Sequence, residues 1–314
     1  MVLGRRQLAP GTLWARVTAR TEHALRCGAL QSLPTAYEFV EQDGIGFLVR
    51  VLANLIRRDA AKKQQDQEIA ASGKASSPFL PYDEALFVAE VSNTHVCLLN
   101  KFNVVDHHLL IVTRAFEDQE SLLNLADFEA LWACMAEFEG LGFYNGGQIA
   151  GASQQHKHLQ LVPLPLAPAG PKIPIEPALA AARFQGPIGS TPRLPFRHAI
   201  ARLAPDGIKS PSQAAAATLE YYCAMRRTVG LQDDALLGNN RQSGPYNLLV
   251  TRQWMLLVPR SQECFQSISV NALGFAGALL VRNDQQLKIL KDQGPMTILK
   301  NVAMPAAVTR AAKF

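Results

Sequence analysis

The sequence predicts an α+β protein in which helices flank an antiparallel β-sheet. Three successive segments are short, rich in β-branched or large apolar residues, and separated by polar or turn-forming residues: "ALFVAEV", "HVCLLNKF" and "HHLLIVT". Such a series is typical of an antiparallel meander. Segments with helical periodicity precede and follow it. With 314 residues, 48% of them hydrophobic and 18% charged, the chain can form one large or two ordinary globular domains.

The segments before the meander are predicted to be helical. Apolar residues recur at helical spacing from Leu13 to Leu30 and again from Ile45 to Ile56, and Pro34 breaks the chain between them. The stretch from Arg57 to Ser77 is polar and rich in Lys and Gln. It is therefore interpreted as a helix end followed by an exposed, mobile loop.

A helix, a glycine-rich loop and a fourth strand follow the meander. Asp127 precedes "FEALWACMAEFE", whose apolar spacing and acidic first turn predict an amphipathic helix that ends at Gly140. The glycines over 146–151 predict a loop. The next stretch, "QHKHLQLVPLP" from Gln155 to Pro165, predicts a strand because polar and apolar residues alternate in it.

The second half of the chain begins with a proline-rich stretch. The residues from Pro163 to Pro195 contain much of the proline and predict a long irregular crossing segment. An alanine-rich helix with Pro211 near its start comes next. The segments "YNLLVT" and "WMLLVPR" then predict a hairpin. Helical patterns from Asn271 to Arg282 and from Asp284 to Asp292 complete the chain.

The order of strands and helices in the first half has a fainter counterpart in the second half, which indicates an internal duplication. We therefore expect three regions. They are an N-terminal catalytic half over 1–165, a Pro-rich crossing segment over 166–210, and a C-terminal half over 211–314 that completes the site.

Charge and hydropathy limit the class of function. The formal net charge of +5 and the pI near 9.0 favour an anionic substrate over a cationic one. Lys and Arg form no block longer than two or three residues, so nucleic-acid binding is only a weak alternative. The apolar run from Ala272 to Val281 is shorter than the roughly 20 residues that cross a bilayer, so no membrane span is predicted.

The cysteines indicate a reducing compartment. They are scattered, odd in number and never form a C-x-x-C pair, which argues against a disulfide framework and a cysteine-built zinc site. The N-terminus carries arginines and no acid before Glu22, as transit peptides do, but it lacks the apolar core of a secretion signal. We expect a cytoplasmic protein. The five cysteines are Cys27, Cys97, Cys134, Cys223 and Cys264.

Two histidines and a glutamine alternate with leucines in the predicted fourth strand. Because side chains alternate between the faces of a strand, His156, His158 and Gln160 point one way, while Leu159 and Leu161 anchor the other face. Four interpretations are open: hydrogen-bonded structural histidines, two ligands of a metal ion, a nucleophilic histidine, or a nucleotide-binding site without turnover. The metal interpretation lacks a third ligand nearby.

The sequence in front of the histidines favours phosphate chemistry. In "YNGGQIAGASQQHKHLQ" small residues let backbone N–H groups approach phosphate oxygens, and Ser, Asn and Gln supply neutral donors. The sequence contains no Walker A pattern. The segment "GLGFYN" fails the G-x-G-x-x-G pattern because Asn145 stands at the third glycine position. The phosphate would therefore be held in neither of these two common ways.

The stretch "GASQQHKHLQ" resembles the H-x-H-x-Q strand in the transferase branch of the histidine-triad superfamily, and more closely that of the diadenosine tetraphosphate phosphorylases, also called ATP adenylyltransferases. The similarity extends to "NKFNVVDHHLLIVTR" from Asn100 to Arg114 and to "YNLLVTRQWMLLVPRS" from Tyr246 to Ser261. The hydrolase branch usually has a third histidine where Gln160 stands. Galactose-1-phosphate uridylyltransferases typically have proline between the histidines, where this chain has Lys157.

This resemblance implies a histidine-triad-like sheet in which two similar halves enclose one nucleotide-sized cleft. His158 would attack the α-phosphorus of the dinucleotide, expel ATP and carry the AMP, which inorganic phosphate would then remove as ADP. Gln160 would donate to a non-bridging oxygen, and its amide cannot titrate to activate water. His156 would orient its neighbour. The expected partners are nucleotides and phosphate. A divalent cation such as Mg²⁺ would assist the polyphosphate without a protein-built metal site.

Two other functions stay open for this site. The first is another nucleotidylyl transfer, from ADP with sulfate or from a nucleotide sugar. The second is a catalytically silent nucleotide sensor.

The resemblance also implies a set of substrate-binding residues. Lys101 offers a point charge to the polyphosphate, and Lys74 would reach it from the polar loop. The glycine-rich segment would hold phosphate and ribose, and the second matching block would contact the second nucleotide. The complete set is Lys74, Asn100, Lys101, Asn145, Gly151, Ala152, Ser153, Gln154, Asn247, Thr251 and Arg252.

Other conspicuous side chains receive structural interpretations. Trp132 and Trp254 lie in apolar periodic patterns and are predicted to belong to the core. His107 and His108 are adjacent in a predicted strand, so their side chains point to opposite faces and cannot both serve one site. Asp106, which precedes them, is predicted to be a turn residue.

Overall fold

The computed structural model describes residues 8–52, 77, 79–203, 210–231 and 240–306. The helices of this part are α1 (Leu13–Cys27), α2 (Leu125–Met135), α3 (Glu176–Leu179), α4 (Pro211–Thr228), α5 (Ala272–Phe275), α6 (Asp284–Gln293) and α7 (Pro295–Val302). The strands are β1 (Thr35–Gln42), β2 (Ile45–Leu52), β3 (Phe87–Glu90), β4 (His95–Leu99), β5 (Leu109–Thr113), β6 (Gly140–Gly146), β7 (His158–Pro163), β8 (Arg183–Gln185), β9 (Ile188–Ser190), β10 (Ala199–Arg202), β11 (Tyr246–Val250), β12 (Trp254–Pro259), β13 (Cys264–Phe265), β14 (Ile268–Ser269) and β15 (Ala278–Val281).

A ten-stranded antiparallel sheet runs through both halves of the chain, in the order β3-β4-β5-β7-β6-β11-β12-β10-β9-β8. It consists of two five-stranded sets that meet at β6 and β11. In each set, three sequential strands are followed by the fifth strand and then the fourth. Helix α2 connects the third and fourth strands of the first set, and α4 connects those of the second. The topology is that of an internal duplication with a twofold axis through the sheet.

The strand registers identify equivalent residues of the two sets. Gln160 of β7 lies opposite Phe143 of β6. Leu256 of β12 lies opposite Leu249 of β11 in the same way. Phe143 and Leu249 face each other at the centre of the sheet, so the axis passes between them. Leu256 therefore occupies the place of Gln160 in the second set, and Trp254 occupies the place of the second histidine of the motif.

The two faces of the large sheet are covered differently. Helix α1 packs on β3, α2 packs against α4, and the core beneath these helices includes Leu159 and Leu161. The predicted anchoring of β7 by its leucines is thereby confirmed. The opposite face packs against a three-stranded sheet, β1-β2-β15, and helices α5 to α7, in a core that includes Val162. His158 and Gln160 point to this second face because they alternate with the leucines.

Most of the predicted elements are confirmed. They include α1, the meander β3-β4-β5, the hairpin β11-β12, and the helices α4 and α6. Helix α2 begins at Leu125, where the Asn124 side chain accepts hydrogen bonds from the N–H groups of Ala126 and Asp127. The Asp127 carboxylate accepts in turn from the N–H of Asn124, so a reciprocal cap fixes the start of the helix.

The predicted helix from Ile45 to Ile56 is wrong, since Ile45–Leu52 is strand β2. This strand lies between β1 and β15 and buries side chains on both faces. Such a central strand has an almost continuous apolar run, which cannot be distinguished from a buried helix by periodicity alone. The polar stretch predicted from Arg57 to Ser77 lies outside the described residues except for Ser77.

Two further predictions of secondary structure are wrong, and one strand was not predicted. The stretch from Pro163 to Pro195, predicted to be irregular, contains α3, β8 and β9. The pattern from Asn271 to Arg282 is the four-residue helix α5 followed by β15, because Gly277 turns the chain between them at φ +84°. Strand β6 was not predicted, since its glycines are typical of a loop. A Cβ on Gly142 would lie 2.9 Å from Leu131, so glycine permits α2 to pack closely on the sheet.

None of the helices in the described ranges is long and apolar enough to cross a membrane.

Candidate functional site

His158 presents one ring nitrogen at the start of β7. Its Nδ1 lies 2.7 Å from the carbonyl oxygen of His156, which can only accept, so Nδ1 carries the proton and donates. Nε2 of the neutral ring then carries a lone pair, and no described residue hydrogen-bonds to it. The ring edge contacts Phe79 at a centroid distance of 5.2 Å. The side chain is therefore held in one tautomer with its nucleophilic nitrogen available.

Burial sets the protonation state of this ring. His158 is 4% exposed, and burial lowers its pKa to about 4, against a smaller opposing effect of the hydrogen bond to the His156 carbonyl. At neutral pH the imidazole is therefore uncharged, as a nucleophile must be.

A chain of hydrogen bonds orients the amide of Gln160. The Asn100 side chain accepts from the N–H of Phe102 through Oδ1, so its Nδ2 is the donor to Nδ1 of His108, at 3.1 Å. The other nitrogen of His108 then carries the proton and donates to Oε1 of Gln160, at 3.0 Å. This fixes the Gln160 Nε2 group as the end of the amide that is left to donate. Burial lowers the pKa of His108 to about 4, so it stays neutral.

His108 is a residue of this arrangement to which the sequence prediction gave no role. The prediction that His107 lies in a strand with His108 is wrong, but the conclusion that the two histidines do not share a site agrees with their places here. His107 lies in a turn at φ +57°, with Nδ1 3.1 Å from the Thr21 hydroxyl. His108 could have been found from its spacing, because it alternates with Leu110 and Val112 on the strand next to β7.

The first histidine of the motif has both ring nitrogens in hydrogen bonds. Nε2 of His156 lies 2.8 Å from the Thr113 carbonyl oxygen and 3.2 Å from that of Ala115, so it is the donor. Nδ1 accepts from the hydroxyl of Ser77 at 2.5 Å. His156 thus holds a fixed position, and its carbonyl oxygen fixes His158. An orienting role for His156 stays a prediction that this geometry supports.

A buried ion pair lies under the other face of the same strand. Nζ of Lys157 lies 2.6 Å from Oδ2 of Asp127, and both side chains are fully buried. Oδ1 of Asp127 lies 3.1 Å from Nε2 of His95. Nζ of Lys157 also donates to Oε2 of Glu117 at 3.1 Å. The residue between the two histidines of the motif is therefore fixed by charge on the side opposite the imidazoles.

The glycine-rich segment, residues 146–154, lies between β6 and the start of β7. It contains a 3₁₀ turn, Gln148–Ala150, between Gly147 at φ +89° and Gly151 at φ +88°. A Cβ on Gly151 would lie 2.9 Å from the carbonyl oxygen of Val270, so no other residue fits there without displacement.

Asn145 and Asn247 form hydrogen bonds within the protein. Nδ2 of Asn247 donates to Oδ1 of Asn145 at 2.9 Å and to the carbonyl oxygen of Ala150 at 2.8 Å. Oδ1 of Asn247 accepts from the buried guanidinium of Arg260 at 2.6 Å. Both asparagines were predicted to contact substrate. The structure places their side chains in a buried network that supports the glycine-rich segment.

Four other members of the predicted set have partly or fully exposed side chains. Ala152, Ser153 and Gln154 are partly or fully exposed just before His156. No described residue accepts a hydrogen bond from the N–H groups of Ser153 and Gln154. Lys101 is exposed and follows Asn100, and its Nζ lies 5.5 Å from the ring centroid of Phe102.

Thr251 and Arg252 lie at the opposite end of the sheet. They follow Asn247 by four and five residues, or roughly 13 Å or more along an extended strand. The Arg252 guanidinium donates to the carbonyl oxygens of Met135 and Phe138. The two residues connect β11 to β12, as the glycine-rich segment connects β6 to β7. They border a cleft of about 500 Å³ that contains no histidine. The structure thus does not bring them to His158.

Lys74 lies outside the described residues. Trp132 is buried, as predicted for a core residue, and its indole N–H donates to the Thr218 hydroxyl at 2.7 Å. Trp254 is half-buried and packs against the core of the second face.

Two family models match the chain. The model of the Ap4A phosphorylase N-terminal domain matches residues 4–181, where Ap4A is diadenosine tetraphosphate. The model of the ATP adenylyltransferase C-terminal domain matches residues 192–305.

Two yeast proteins are similar in sequence. Diadenosine 5',5'''-P1,P4-tetraphosphate phosphorylase 2 of Saccharomyces cerevisiae is 29% identical over 245 residues, which cover 71% of this chain and 74% of that protein. Protein APA1 of the same yeast is 26% identical over 203 residues, which cover 60% of this chain and 61% of that protein.

The fold is similar to crystal structures of yeast Ap4A phosphorylase Apa2. The complex with AMP superposes with a TM-score of 0.74 at 23% identity, over 96% of this chain and 100% of that one. The complex with Ap4A gives a TM-score of 0.72 at 22% identity, over 95% and 99%. These structures confirm the predicted antiparallel sheet with flanking helices. Because the N-terminal family model alone spans more than half of the 314 residues, the chain belongs to the Ap4A phosphorylase family.

Proposed function

We propose that this chain catalyses the phosphorolysis of Ap4A to ATP and ADP through a covalent His158–AMP intermediate. The observation that carries the proposal is the state of His158: a neutral ring, locked by Nδ1 to the His156 carbonyl, whose Nε2 is hydrogen-bonded by no residue of the described ranges. The related yeast enzymes named as Ap4A phosphorylases support this choice of substrate.

The first step forms one bond and breaks one. The lone pair on Nε2 of His158 attacks the α-phosphorus, the bond from that phosphorus to the bridging oxygen breaks, and ATP leaves with the electron pair. The imidazole becomes positively charged as the N–P bond forms. Its Nδ1–H points at the carbonyl oxygen of His156, whose dipole stabilises that charge.

The second step restores the ring. An oxygen of inorganic phosphate attacks the same phosphorus, the N–P bond breaks, and ADP leaves as the electron pair returns to Nε2. Gln160 serves both steps by donating from Nε2 to a non-bridging oxygen, since its Oε1 is occupied by His108. An amide cannot act as an acid or base near neutral pH, which favours phosphate over water as the acceptor.

The polyphosphate is proposed to lie along the exposed part of the glycine-rich segment. Ser153 and Gln154 contribute N–H groups there, and Lys101 contributes a positive charge. A divalent cation such as Mg²⁺ would be carried by the polyphosphate itself. Among the described residues, no three His, Cys, Asp or Glu side chains group closely enough to hold an ion.

A cytoplasmic location belongs to the same proposal. It is supported by the cysteines, all five of which are free thiols in the structure.

Phosphate dependence tests the proposed reaction. With Ap4A and inorganic phosphate, we expect equimolar ATP and ADP, measured by anion-exchange chromatography of the products. Without phosphate, turnover should stop after one equivalent of ATP has been released, because AMP stays on the enzyme. AMP formed at the same rate with and without phosphate would identify a hydrolase. Binding without any product would identify a nucleotide sensor.

The rate of the reaction should begin to decrease only at an unusually low pH. Because burial lowers the pKa of His158 to about 4, the rate of adenylyl transfer in a single turnover should change little between pH 8 and pH 5. A histidine with the ordinary pKa of 6.5 would lose most of its neutral form over that range. Rapid-quench measurement of ATP release across this range checks the expectation, and a decline centred near pH 6.5 would contradict it.

The stability of the folded protein should decrease as the pH falls. His158 and His108 bind a proton near pH 6.5 in the unfolded chain but only near pH 4 in the folded one. As pH falls from 6.5 to 4, the unfolded state therefore binds more protons, and the free energy of unfolding decreases by up to about 3 kcal/mol for each ring. Circular dichroism at each pH is the necessary control for the rate measurements.

A further inference from the structure

The segment between β5 and α2 contains a glutamine that contacts the backbone on both sides of the His158 Cα. Oε1 of Gln119 accepts from the N–H of His158 at 2.9 Å. Nε2 of Gln119 donates to the carbonyl oxygen of His158 at 3.3 Å and to that of Asn145 at 2.9 Å. The side chain is 2% exposed. One amide thus satisfies three backbone groups at the site.

The Gln119 amide lies where β6 and β7 stop pairing with each other. The ladder between β6 and β7 ends at the pair of Phe143 and Gln160. Two residues further on, Asn145 and His158 would be the next pair, but their backbone groups meet the Gln119 amide instead of each other. A primary amide has an acceptor oxygen and two N–H donors, the same kinds of group that the edge of a strand presents. Gln119 therefore acts as a piece of a strand inserted between β6 and β7.

The backbone of Gln119 is itself fixed. Its N–H donates to the carbonyl oxygen of Gln155 at 2.6 Å, and its own carbonyl oxygen accepts from the buried hydroxyl of Tyr144. The neighbouring Glu117 accepts from the N–H of Lys157 at 2.8 Å. The amide of Gln119 is thus attached to a rigid frame and not to a free loop.

We propose that Gln119 is a positioning residue for adenylyl transfer: it holds the His158 backbone so that Nε2 faces the α-phosphorus, and it keeps β6 and β7 apart there. The proposal rests on the proposed function of His158. Displacing a nucleophile by about 1 Å can reduce a rate by about 10²-fold without affecting binding to the same degree. The role is therefore distinguishable from a contribution to folding alone.

Gln286 supplies a matched control. It is also a buried glutamine, 7% exposed, whose amide accepts from the N–H of Arg282 at 2.8 Å and donates to the carbonyl oxygen of Ser267 at 2.9 Å. It lies in α6, and the hydrogen bonds of its amide go to Arg282 and Ser267 and not to His156 or His158. Loss of its amide removes the same kind of backbone hydrogen bonds without touching the site.

The experiment compares Gln119→Leu with Gln286→Leu in the full-length protein. Both variants should lose stability to urea to a similar extent. The single-turnover rate of ATP release should fall about 10²-fold in Gln119→Leu, with the Kd for AMP changed less than about threefold, and should stay within about twofold in Gln286→Leu. Equal rates in the wild type and folded Gln119→Leu would overturn the proposal.

Gln119→Glu adds a pH signature that a purely structural residue would not give. A carboxylate still accepts from the N–H of His158, but it repels the two carbonyl oxygens that the amide donates to. Protonation turns it into a donor again. The rate of Gln119→Glu should therefore rise as pH falls from 8 to 5, while the wild-type rate stays level. Parallel profiles of the two proteins would count against the proposal.

Nitrogen-15 NMR of the histidine rings separates this proposal from the proposed function. In the wild type, His158 should be in the Nδ1–H tautomer, and Gln119→Leu should shift both its ring resonances and its titration midpoint. A wild-type enzyme that forms no adenylylated intermediate would refute the proposed function. The NMR comparison then still decides on Gln119, because unchanged His158 resonances in Gln119→Leu would refute its positioning role.

Discussion

Replacing His158 with alanine should abolish the transfer of the adenylyl group. The variant lacks the atom that forms the N–P bond, so the loss in kcat is expected to be about 10⁴-fold or more, on the scale of other nucleophile deletions. Binding of Ap4A should survive, since the glycine-rich segment does not depend on this ring. Rapid quench gives the rate, and calorimetry gives the Kd. The wild type incubated with labelled Ap4A and no phosphate should retain label at His158 after denaturation, and the variant should retain none.

His198 provides the control for this experiment. It is buried, and its Nδ1 donates to the carbonyl oxygen two residues back, at 2.8 Å, as that of His158 does. Its Nε2 accepts from the N–H of Thr191 at 3.0 Å, so it offers no free lone pair. His198→Ala should lower stability but leave the transfer rate of the folded protein within about threefold of the wild-type rate. Unimpaired transfer by His158→Ala would disprove the covalent mechanism.

The sequence predicted the structure correctly where a local pattern alone determines which face of a strand is buried or where a helix lies. The alternation of "HKHLQL" correctly placed the leucines in the core and the polar trio on the other face, because a strand has a period of two. The resemblance to the Ap4A phosphorylases is confirmed by the family models. Helix α2 was found because its acidic first turn and apolar spacing are both local signals.

Residues that act through distant partners were harder to identify. Gln119 reaches His158 and Asn145 only because the chain crosses back between β5 and α2, and nothing near it in the sequence marks it. Thr251 and Arg252 are the reverse case. They match a family block, but the internal duplication places them at the end of the sheet that corresponds to the glycine-rich segment in the second half. The order of the strands in the sheet determines where such residues lie, and a single sequence indicates that order only weakly.

Removal of the Asp127 carboxylate should have the largest effect on stability. Burial alone would raise the pKa of Asp127, but the hydrogen bond from His95 and the charge of Lys157 outweigh burial and hold it below the usual value. Asp127→Leu leaves the fully buried ammonium of Lys157 without its 2.6 Å partner and breaks the cap of α2. The free energy of unfolding in urea should decrease by about 3–5 kcal/mol.

The ion pair of Lys172 and Glu139 is the surface counterpart of this buried pair. It has the same 2.6 Å distance, but its side chains are 57% and 54% exposed. Glu139→Gln should change the free energy of unfolding by less than about 1 kcal/mol, because solvent screens the charges. A similar loss in both single variants would show that burial is not what makes the Asp127 contact important.

The double variant Lys157→Met, Asp127→Leu removes both charges of the pair. It therefore tests whether Asp127→Leu loses stability because the ammonium of Lys157 is left buried without a partner. A buried ion pair contributes little net stability compared with apolar residues of similar size, so the double variant should recover much of what Asp127→Leu loses. Lys157 is also the residue between His156 and His158, and its N–H donates to Glu117 in either variant. The transfer rate of the folded double variant should therefore stay closer to the wild-type rate than that of Gln119→Leu. If the transfer rate of the double variant fell as far as that of Gln119→Leu, the ion pair as well as Gln119 would have a positioning role.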